Sequence, residues 1–77
     1  MRKYNLYKHV NNTDAAFCPI KIFYVKEKDL YKIKCSWFSI VRGKIRFLAK
    51  DRIEIPKEKI HEWKWYGELP FDQLSHC

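Results

Sequence analysis

Five side chains of this sequence could bind a metal ion, and the spacing between them is the first test of that chemistry. Zinc sites usually take their ligands in close pairs, because one tight turn then orients both side chains. The candidate ligands are Cys18, Cys35, His61, His76 and Cys77. Only His76 and Cys77 are close, and adjacent residues are poorly placed to share one ion. The sequence therefore predicts neither a metal site nor a bound cofactor.

The same residue types could support nucleophilic catalysis, which needs a cysteine thiolate and an oriented histidine. Cys18 and Cys35 fall at apolar positions of strand-like runs, where a thiol behaves as a small hydrophobic group. A phosphate-binding loop needs clustered glycines, but the only glycines are Gly43 and Gly67. We therefore expect a protein that is not an enzyme and that acts by binding.

The charged residues are mostly basic, and they are unevenly distributed. The formal net charge is +7, with twelve Lys and Arg against three acids in residues 1–50 and four against six in residues 51–77. This asymmetry points to an anionic partner, either nucleic acid or an acidic protein surface. The alternative is that lysines keep a small β protein soluble and protect its sheet edges.

A nucleic-acid site is predicted around the longest strand-like run and the turn that follows it. The candidate residues are Lys32, Lys34, Arg42, Lys44 and Arg46. If their strands are neighbours, the basic faces could merge into one patch that neutralises phosphates. No recognition helix is expected for a major groove. Single-stranded or structured RNA or DNA is therefore the predicted ligand.

Aromatic rings beside such a patch would add stacking surfaces for bases. The candidates are Tyr24, Tyr31, Trp37, Phe38 and Trp65. In a chain of 77 residues most aromatic side chains must fill the core, so the patch is better supported than any one stacking residue.

A second candidate site points to a protein partner. Trp63, Trp65 and Tyr66 lie close together near the end of the chain, and Trp and Tyr are enriched in protein-binding hot spots. One tryptophan could lie in the core while the other is exposed, or both could cover the open end of the fold. The alternative function is thus a protein-interaction module that binds an acidic protein surface.

Short strands have to position these candidates, because β-branched and aromatic residues dominate and turn residues separate the runs. The strand-like runs are 3–9, 17–25, 30–41, 45–49, 52–55 and 62–66. In the second run the predicted core face consists of Cys18, Ile20, Ile22 and Tyr24. Pro19 removes a backbone donor and predicts an edge or a bulge there.

The third run, 30–41, alternates between apolar residues and Lys32, Lys34 and Ser36. Beyond Ser36 the alternation is lost, as expected at a bulge or bend. A helix is the competing interpretation, because apolar residues in this run also recur at helical spacing. The aromatic and β-branched content favours a strand.

Turn residues mark the connections between the later runs. Arg42-Gly43-Lys44 predicts a hairpin turn, and Lys50-Asp51 predicts a second tight turn. Pro56 predicts a single helical turn over 57–61. Residues 68–77 carry no period and are expected to form a loose or docking tail.

Five or six short antiparallel strands with one helical turn before the last strand fit a small closed or half-closed barrel. The predicted fold class is mainly β, with residues 1–67 as one domain and 68–77 as a tail. The layout resembles the SH3-like small β-barrels. The segment Tyr7-Lys8-His9-Val10-Asn11-Asn12-Thr13-Asp14-Ala15-Ala16-Phe17 resembles small proteins of tailed bacteriophages. Because phages use such mini-proteins to bind and redirect host factors, the resemblance implies an inhibitor of a host protein or defence complex.

The sequence also bears on the compartment. No apolar run approaches the roughly 18 residues that a membrane span needs, and the basic residues at the N-terminus are not followed by the apolar stretch of a signal peptide. Three widely spaced cysteines make a poor disulfide framework. We expect a cytoplasmic protein without a membrane partner, located in the host cytoplasm if it is phage-encoded.

Overall fold

The computed structural model describes residues 4–12 and 14–76 of the chain. This part forms five strands and two short 3₁₀ helices, which we label η1 and η2. In chain order the elements are β1 (Asn5–His9), β2 (Ala15–Val25), β3 (Leu30–Val41), β4 (Lys44–Pro56), η1 (Lys57–Glu62), β5 (Trp63–Glu68) and η2 (Phe71–His76). The predicted mainly β architecture is confirmed, as is the helical turn before the last strand. Lys3, where the first run was predicted to begin, lies outside the described residues.

The strands form one open antiparallel sheet in the order β4-β3-β2-β1-β5. Within the described residues β4 and β5 are the edge strands, and the predicted closure into a barrel is not shown. The hairpin between β3 and β4 turns at Arg42 and Gly43, whose φ angles are 51° and 78°. Two successive positive φ angles are typical of the turn whose twist matches that of the flanking strands. The predicted hairpin at this position is confirmed.

Each face of the sheet carries its own hydrophobic cluster. The cluster on the face that we call the front is formed by Leu6, Ala16, Cys18, Phe38 and Leu69. The cluster on the opposite face, the back, is formed by Phe17, Ile33, Cys35 and Ile55. Because successive residues of a strand point to opposite faces, neighbours such as Phe17 and Cys18 serve different clusters.

A bulge in β2 corrects the predicted core face of that strand. Pro19 pairs with Cys35 and Lys21 with Lys34, so that Ile20 is an extra residue. The predicted irregularity at Pro19 is confirmed. Beyond Ile20 the even-numbered residues of β2 point to the back of the sheet instead of the front. Most side chains in this half of the strand are exposed to solvent. The prediction was therefore right for Cys18, which is buried, and wrong for the three residues that follow it at alternate positions, which are exposed: Ile20, Ile22 and Tyr24.

A second bulge lies in β4, which is otherwise continuous. Trp37 pairs with Ala49 and Phe38 with Phe47, so that Leu48 is the extra residue. The register thus shifts beyond Ser36, where an irregularity was predicted, but the bulge lies on β4, and β3 itself keeps its alternation. The tight turn predicted at Lys50-Asp51 is wrong. Residues 50–52 stay in the strand and pair with Ser36, Cys35 and Lys34 of β3. The Asp51 carboxylate also accepts hydrogen bonds from Trp37 Nε1 at 3.0 Å and from the Arg52 amide at 2.8 Å.

The described part of the C-terminal segment docks on the front face. β5 continues beyond Gly67 to Glu68, Leu69 is buried in the front cluster, and Leu74 packs against that cluster. The ring of His76 stacks on Phe47 with 4.2 Å between centroids. The buried Ser36 hydroxyl donates to the His76 carbonyl at 2.9 Å. Of the two expectations for this segment, the structure shows docking over 69–76.

Across the described ranges, no helix is long and apolar enough to cross a membrane.

Candidate functional site

Three cationic side chains lie side by side across the neighbouring strands β2, β3 and β4. Lys21 on β2 pairs with Lys34 on β3, and Lys34 pairs in turn with Arg52 on β4. We call these three residues the cation row. Directly opposed residues share a face and lie within about 5.5 Å of each other at Cβ, so the row places three positive charges within two inter-strand spacings.

The strand alternation adds two more cations to the same face of the sheet. Lys32 precedes Lys34 by two residues on β3, and Lys50 precedes Arg52 by two residues on β4. Together with the cation row they form what we call the basic face, on the front side beyond the docked C-terminal segment. Its one carboxylate is that of Glu54, which lies 3.8 Å from the Lys32 ammonium group.

The other carboxylate close in sequence is that of Asp51, which borders the same surface but forms no ion pair with these cations among the described residues. Asp51 pairs with Cys35, whose side chain is buried in the back cluster. Its carboxylate accepts the hydrogen bond from Trp37, which packs against that same cluster. Among the residues that the structure describes, no acidic side chain forms an ion pair with Lys21, Lys34, Lys50 or Arg52.

Like charges placed directly opposite in a sheet destabilise it, by about 0.2–1 kcal/mol per pair. The cation row contains two such pairs, and a folded chain this small has little stability to spare. Spreading the same side chains around the surface would avoid this repulsion. The arrangement is therefore suited to an anion that offsets it when bound.

Two shallow depressions meet along the cation row. One has a volume of about 610 Å³ and extends towards Lys50, and the other has about 730 Å³ and extends towards Lys32 and Phe23. Both are lined by all three residues of the row. A concave, positively charged surface that extends from Lys32 to Lys50 can bind an extended anionic chain along it.

The structure separates the predicted basic patch into two groups. Lys32 and Lys34 belong to the basic face, as described above. Arg42, Lys44 and Arg46 lie together around a smaller depression at the tip of the β3–β4 hairpin. Arg46 pairs with Ser39, which is an odd-numbered residue of β3 and thus faces the back, opposite to Lys34. The predicted merging of the two groups into one face does not occur in this sheet.

Sequence reasoning missed three cations and one aromatic residue of the basic face: Lys21, Lys50, Arg52 and Phe23. Lys21 was missed because the facing of β2 depends on the bulge at Ile20. Lys50 and Arg52 were missed because a turn was predicted in the middle of β4. The signal for Lys21 was Pro19, since a bulge there reverses the facing of every later residue.

The two tryptophans of β5 have different environments, as one of the sequence-based alternatives predicted. Trp63 packs edge-on against Phe17 and His9, with 4.9 Å between centroids in each pair. Trp65 is 61% exposed, and its Nε1 donates to Asn5 Oδ1 at 2.9 Å. Tyr66 is also exposed, with the Lys8 ammonium group 5.2 Å from its ring centroid. Trp63 is thus a core residue, whereas Trp65 and Tyr66 are accessible on an edge strand.

The other aromatic residues considered for stacking serve mainly to pack the fold. Phe38 is fully buried in the front cluster, and Trp37 and Tyr31 pack against the back cluster. Tyr24 is exposed but contacts the Tyr31 ring, and its hydroxyl donates to Asp29. That hydrogen bond is the main reason why the pKa of Tyr24 is raised.

The cysteines of the described chain are not positioned for catalysis. Cys18 and Cys35 are both buried with free thiols. Burial, and to a lesser extent the Asp51 carboxylate, raises the pKa of the Cys35 thiol to about 11. Within residues 4–12 and 14–76 no three metal-binding side chains lie close enough to hold an ion, and Cys77 lies outside these residues.

One side-chain hydrogen bond links β1 to the last residue of η1, directly before the edge strand β5. The Asn11 amide donates to His9 Nδ1 at 3.2 Å, so the proton of a neutral His9 ring is on Nε2, which donates to Glu62 Oε1 at 2.8 Å. This hydrogen bond holds the pKa of the Glu62 carboxyl below its usual value. His9 and Glu62 therefore have a structural role that places β5 beside β1.

Comparison of the chain with models of protein families, with curated proteins and with solved structures found no match, so what it binds has to be inferred from the chemistry of its surfaces.

Proposed function

We propose that this protein is a small, non-enzymatic nucleic-acid-binding module whose ligand lies across the basic face. The observation that carries the proposal is the cation row, in which three positive charges oppose each other on neighbouring strands without acidic partners among the described residues. A phosphate backbone supplies closely spaced negative charges that would offset this repulsion. Lys32 and Lys50 extend the contact on either side of the row.

The second group of cations has a subordinate role in this proposal. Arg42, Lys44 and Arg46 form a separate basic surface at the tip of the hairpin. Exposed charges act over about one Debye length, which is about 10 Å at 0.1 M salt and longer at lower salt. At low salt this group therefore helps to attract the anionic strand to the protein. It does not contact the same stretch of backbone as the cation row.

Salt-dependent binding tests the proposal. The affinity for a fluorescent single-stranded oligonucleotide is measured by anisotropy over a range of salt concentrations, for the wild type and for Lys34→Gln and Arg52→Gln. Each substitution is expected to reduce the slope of log affinity against log salt by about 0.7, as for one lost phosphate contact on a single strand. The control is Lys59→Gln, because Lys59 lies on η1, beyond the end of β4.

Two results would contradict the proposal. One is an affinity that does not change with salt. The other is an equal loss of slope in Lys59→Gln and in the two cation-row variants, which would show that only the net charge of the protein matters.

A second candidate function is supported by the exposed aromatic residues of β5. Trp65 and Tyr66 project from an edge strand, and residues of these types anchor many protein interfaces. In this alternative the chain is a phage-encoded module that binds and inhibits a bacterial host protein. A complex from bacterial lysate that survives nuclease, is lost in Trp65→Ala and is retained in Lys34→Gln would favour it. A complex that nuclease disperses would rule it out.

A further inference from the structure

The basic face carries an exposed aromatic side chain that the core does not use, that of Phe23. Phe23 lines the same depression as the cation row, and it is 58% exposed. It lies directly opposite Lys32 on the neighbouring strand and two residues beyond Lys21 on its own strand. The Phe23 side chain therefore lies beside two cations, Lys21 and Lys32, and more than half of it is open to solvent.

Resting on the proposed function, we infer that Phe23 is a base-stacking residue and that the basic face binds a single strand of nucleic acid. The cations hold the phosphate backbone across the sheet, and the Phe23 ring covers the face of one unstacked base. Base–aromatic stacking tolerates any base, because every base has a π-face. Binding at this site is thus selective for strandedness and not for sequence.

A duplex cannot use Phe23 in this way. Its bases are already stacked on each other, so a ring on an open sheet reaches only the backbone and the groove edges. The described helices η1 and η2 are 3₁₀ segments of six residues each, and neither is a recognition helix that could enter a major groove. A duplex would therefore contact the cations alone.

The chain offers a matched control beside Phe23. Ile22 is 56% exposed, almost as much as Phe23. It pairs with Ile33, which is buried in the back cluster, and so it faces away from the cations. An alanine at either position removes an exposed apolar side chain from the same strand, but only the change at Phe23 alters the basic face.

Two probes separate stacking from phosphate binding. One is a thymidine oligonucleotide of about 12 nucleotides, within the range that one small β domain covers. The other is an abasic oligonucleotide of the same length, which has the same phosphate backbone but no bases. Dissociation constants for both are measured with the wild type, Phe23→Ala, Phe23→Trp and Ile22→Ala, after circular dichroism has shown that each variant folds.

Phe23→Ala is expected to weaken binding of the thymidine strand by about 5- to 150-fold, the range for the loss of one base stack. It should leave the abasic strand unaffected, whereas Phe23→Trp should keep the affinity for both. Ile22→Ala should bind like the wild type. A thymidine strand containing 2-aminopurine should also lose its stacking-dependent quenching in Phe23→Ala.

The outcomes distinguish the two levels of the proposal. If both probes bind with salt-dependent affinity and Phe23→Ala binds the thymidine strand like the wild type, stacking is refuted while the cation row stands. Equal weakening for both probes, or a similar loss in Ile22→Ala, refutes stacking as well. If neither probe binds the wild type, the proposed function fails and this inference with it.

Discussion

Replacing Lys34 with glutamate should stabilise the fold and weaken nucleic-acid binding at the same time. Lys34 is the centre of the cation row and faces a cation on each neighbouring strand. In Lys34→Glu both of these repulsive pairs become attractive ones. Most substitutions at a binding site are neutral or destabilising, so a gain in stability together with a loss of binding is a distinctive result.

The gain in stability can be worked from the register of the strands. A cross-strand charge pair contributes about 0.2–1 kcal/mol, and the lower part of this range applies because exposed pairs are screened by solvent. Converting two repulsive pairs to attractive ones should raise the free energy of unfolding by about 0.5–1.5 kcal/mol. For a domain of this size that corresponds to an increase in Tm of about 2–12 °C.

The loss of binding follows from counterion release. For a single strand each phosphate contact changes log affinity by about 0.7 per tenfold change in salt, which is about 5-fold at 0.1 M relative to 1 M. Lys34→Glu removes one contact and adds a repelling charge, so its affinity at 0.1 M should fall about 25-fold. Lys34→Gln, which only removes the charge, should show about a 5-fold loss and a smaller gain in Tm.

Thermal denaturation followed by circular dichroism gives Tm, and fluorescence anisotropy gives the affinity at the same salt concentration. Lys59→Glu is the control, since it makes the same change of charge on η1. A lower Tm in Lys34→Glu would refute the like-charge argument, because the loss of binding could then result from unfolding. An unchanged affinity would refute the assignment of the cation row to the ligand.

Three further predictions concern the fold and its thiols. Trp63→Ala should reduce the free energy of unfolding by about 3 kcal/mol or more and lower Tm strongly, whereas Trp65→Ala should change Tm little. The reverse order in thermal denaturation would contradict the assignment of Trp63 to the core. Leu69→Ala should cost about 2–5 kcal/mol in denaturant unfolding, while a tail that does not dock would give no change. Because the raised pKa of Cys35 keeps its thiol neutral up to about pH 11, alkylation at pH 8 should be slow in the native state and fast in denaturant. Rapid alkylation of Cys35 at pH 8 in the native state would refute the burial of a neutral thiol. The unfolded thiol has a pKa near 8.5, so the contribution of Cys35 to stability should decline as pH rises from there towards 11.

The general architecture could be predicted because local patterns decide it. The alternation of Lys32 and Lys34 with apolar residues identified β3, and Gly43 identified the hairpin turn that joins it to β4. These features depend on residues close in sequence, and the period of two that defines a strand is visible there. The burial of Cys18 and Cys35 followed from the same pattern.

The composition of the candidate site could not be predicted in full, because it depends on the register between strands. Whether Lys21 joins Lys34 is decided by one extra residue, Ile20, since a shift of one residue moves every later side chain to the other face. The pairing of Arg52 with Lys34 likewise requires that β4 continue through Lys50-Asp51. There the pairing of residues 50–52 with β3, together with the hydrogen bond from Trp37 to Asp51, outweighs the local preference for a turn.

The docking of the C-terminal segment could not be predicted from local sequence patterns either. Residues 69–76 carry no strand or helix period, yet Leu69 is buried in the front cluster and the Ser36 hydroxyl donates to His76. These contacts join parts of the chain that are far apart in sequence. Only the folded sheet shows that a surface for them exists.

The central claim is that a nucleic-acid strand lies across the cation row, and amide chemical shifts test it most directly. The isotope-labelled protein is titrated with the thymidine oligonucleotide, and shift changes are mapped on the sheet. We predict that the largest changes occur at Lys21, Lys34 and Arg52 and in their neighbours on β2, β3 and β4. Changes confined to the hairpin around Arg46 or to β5 around Trp65 would contradict the claim.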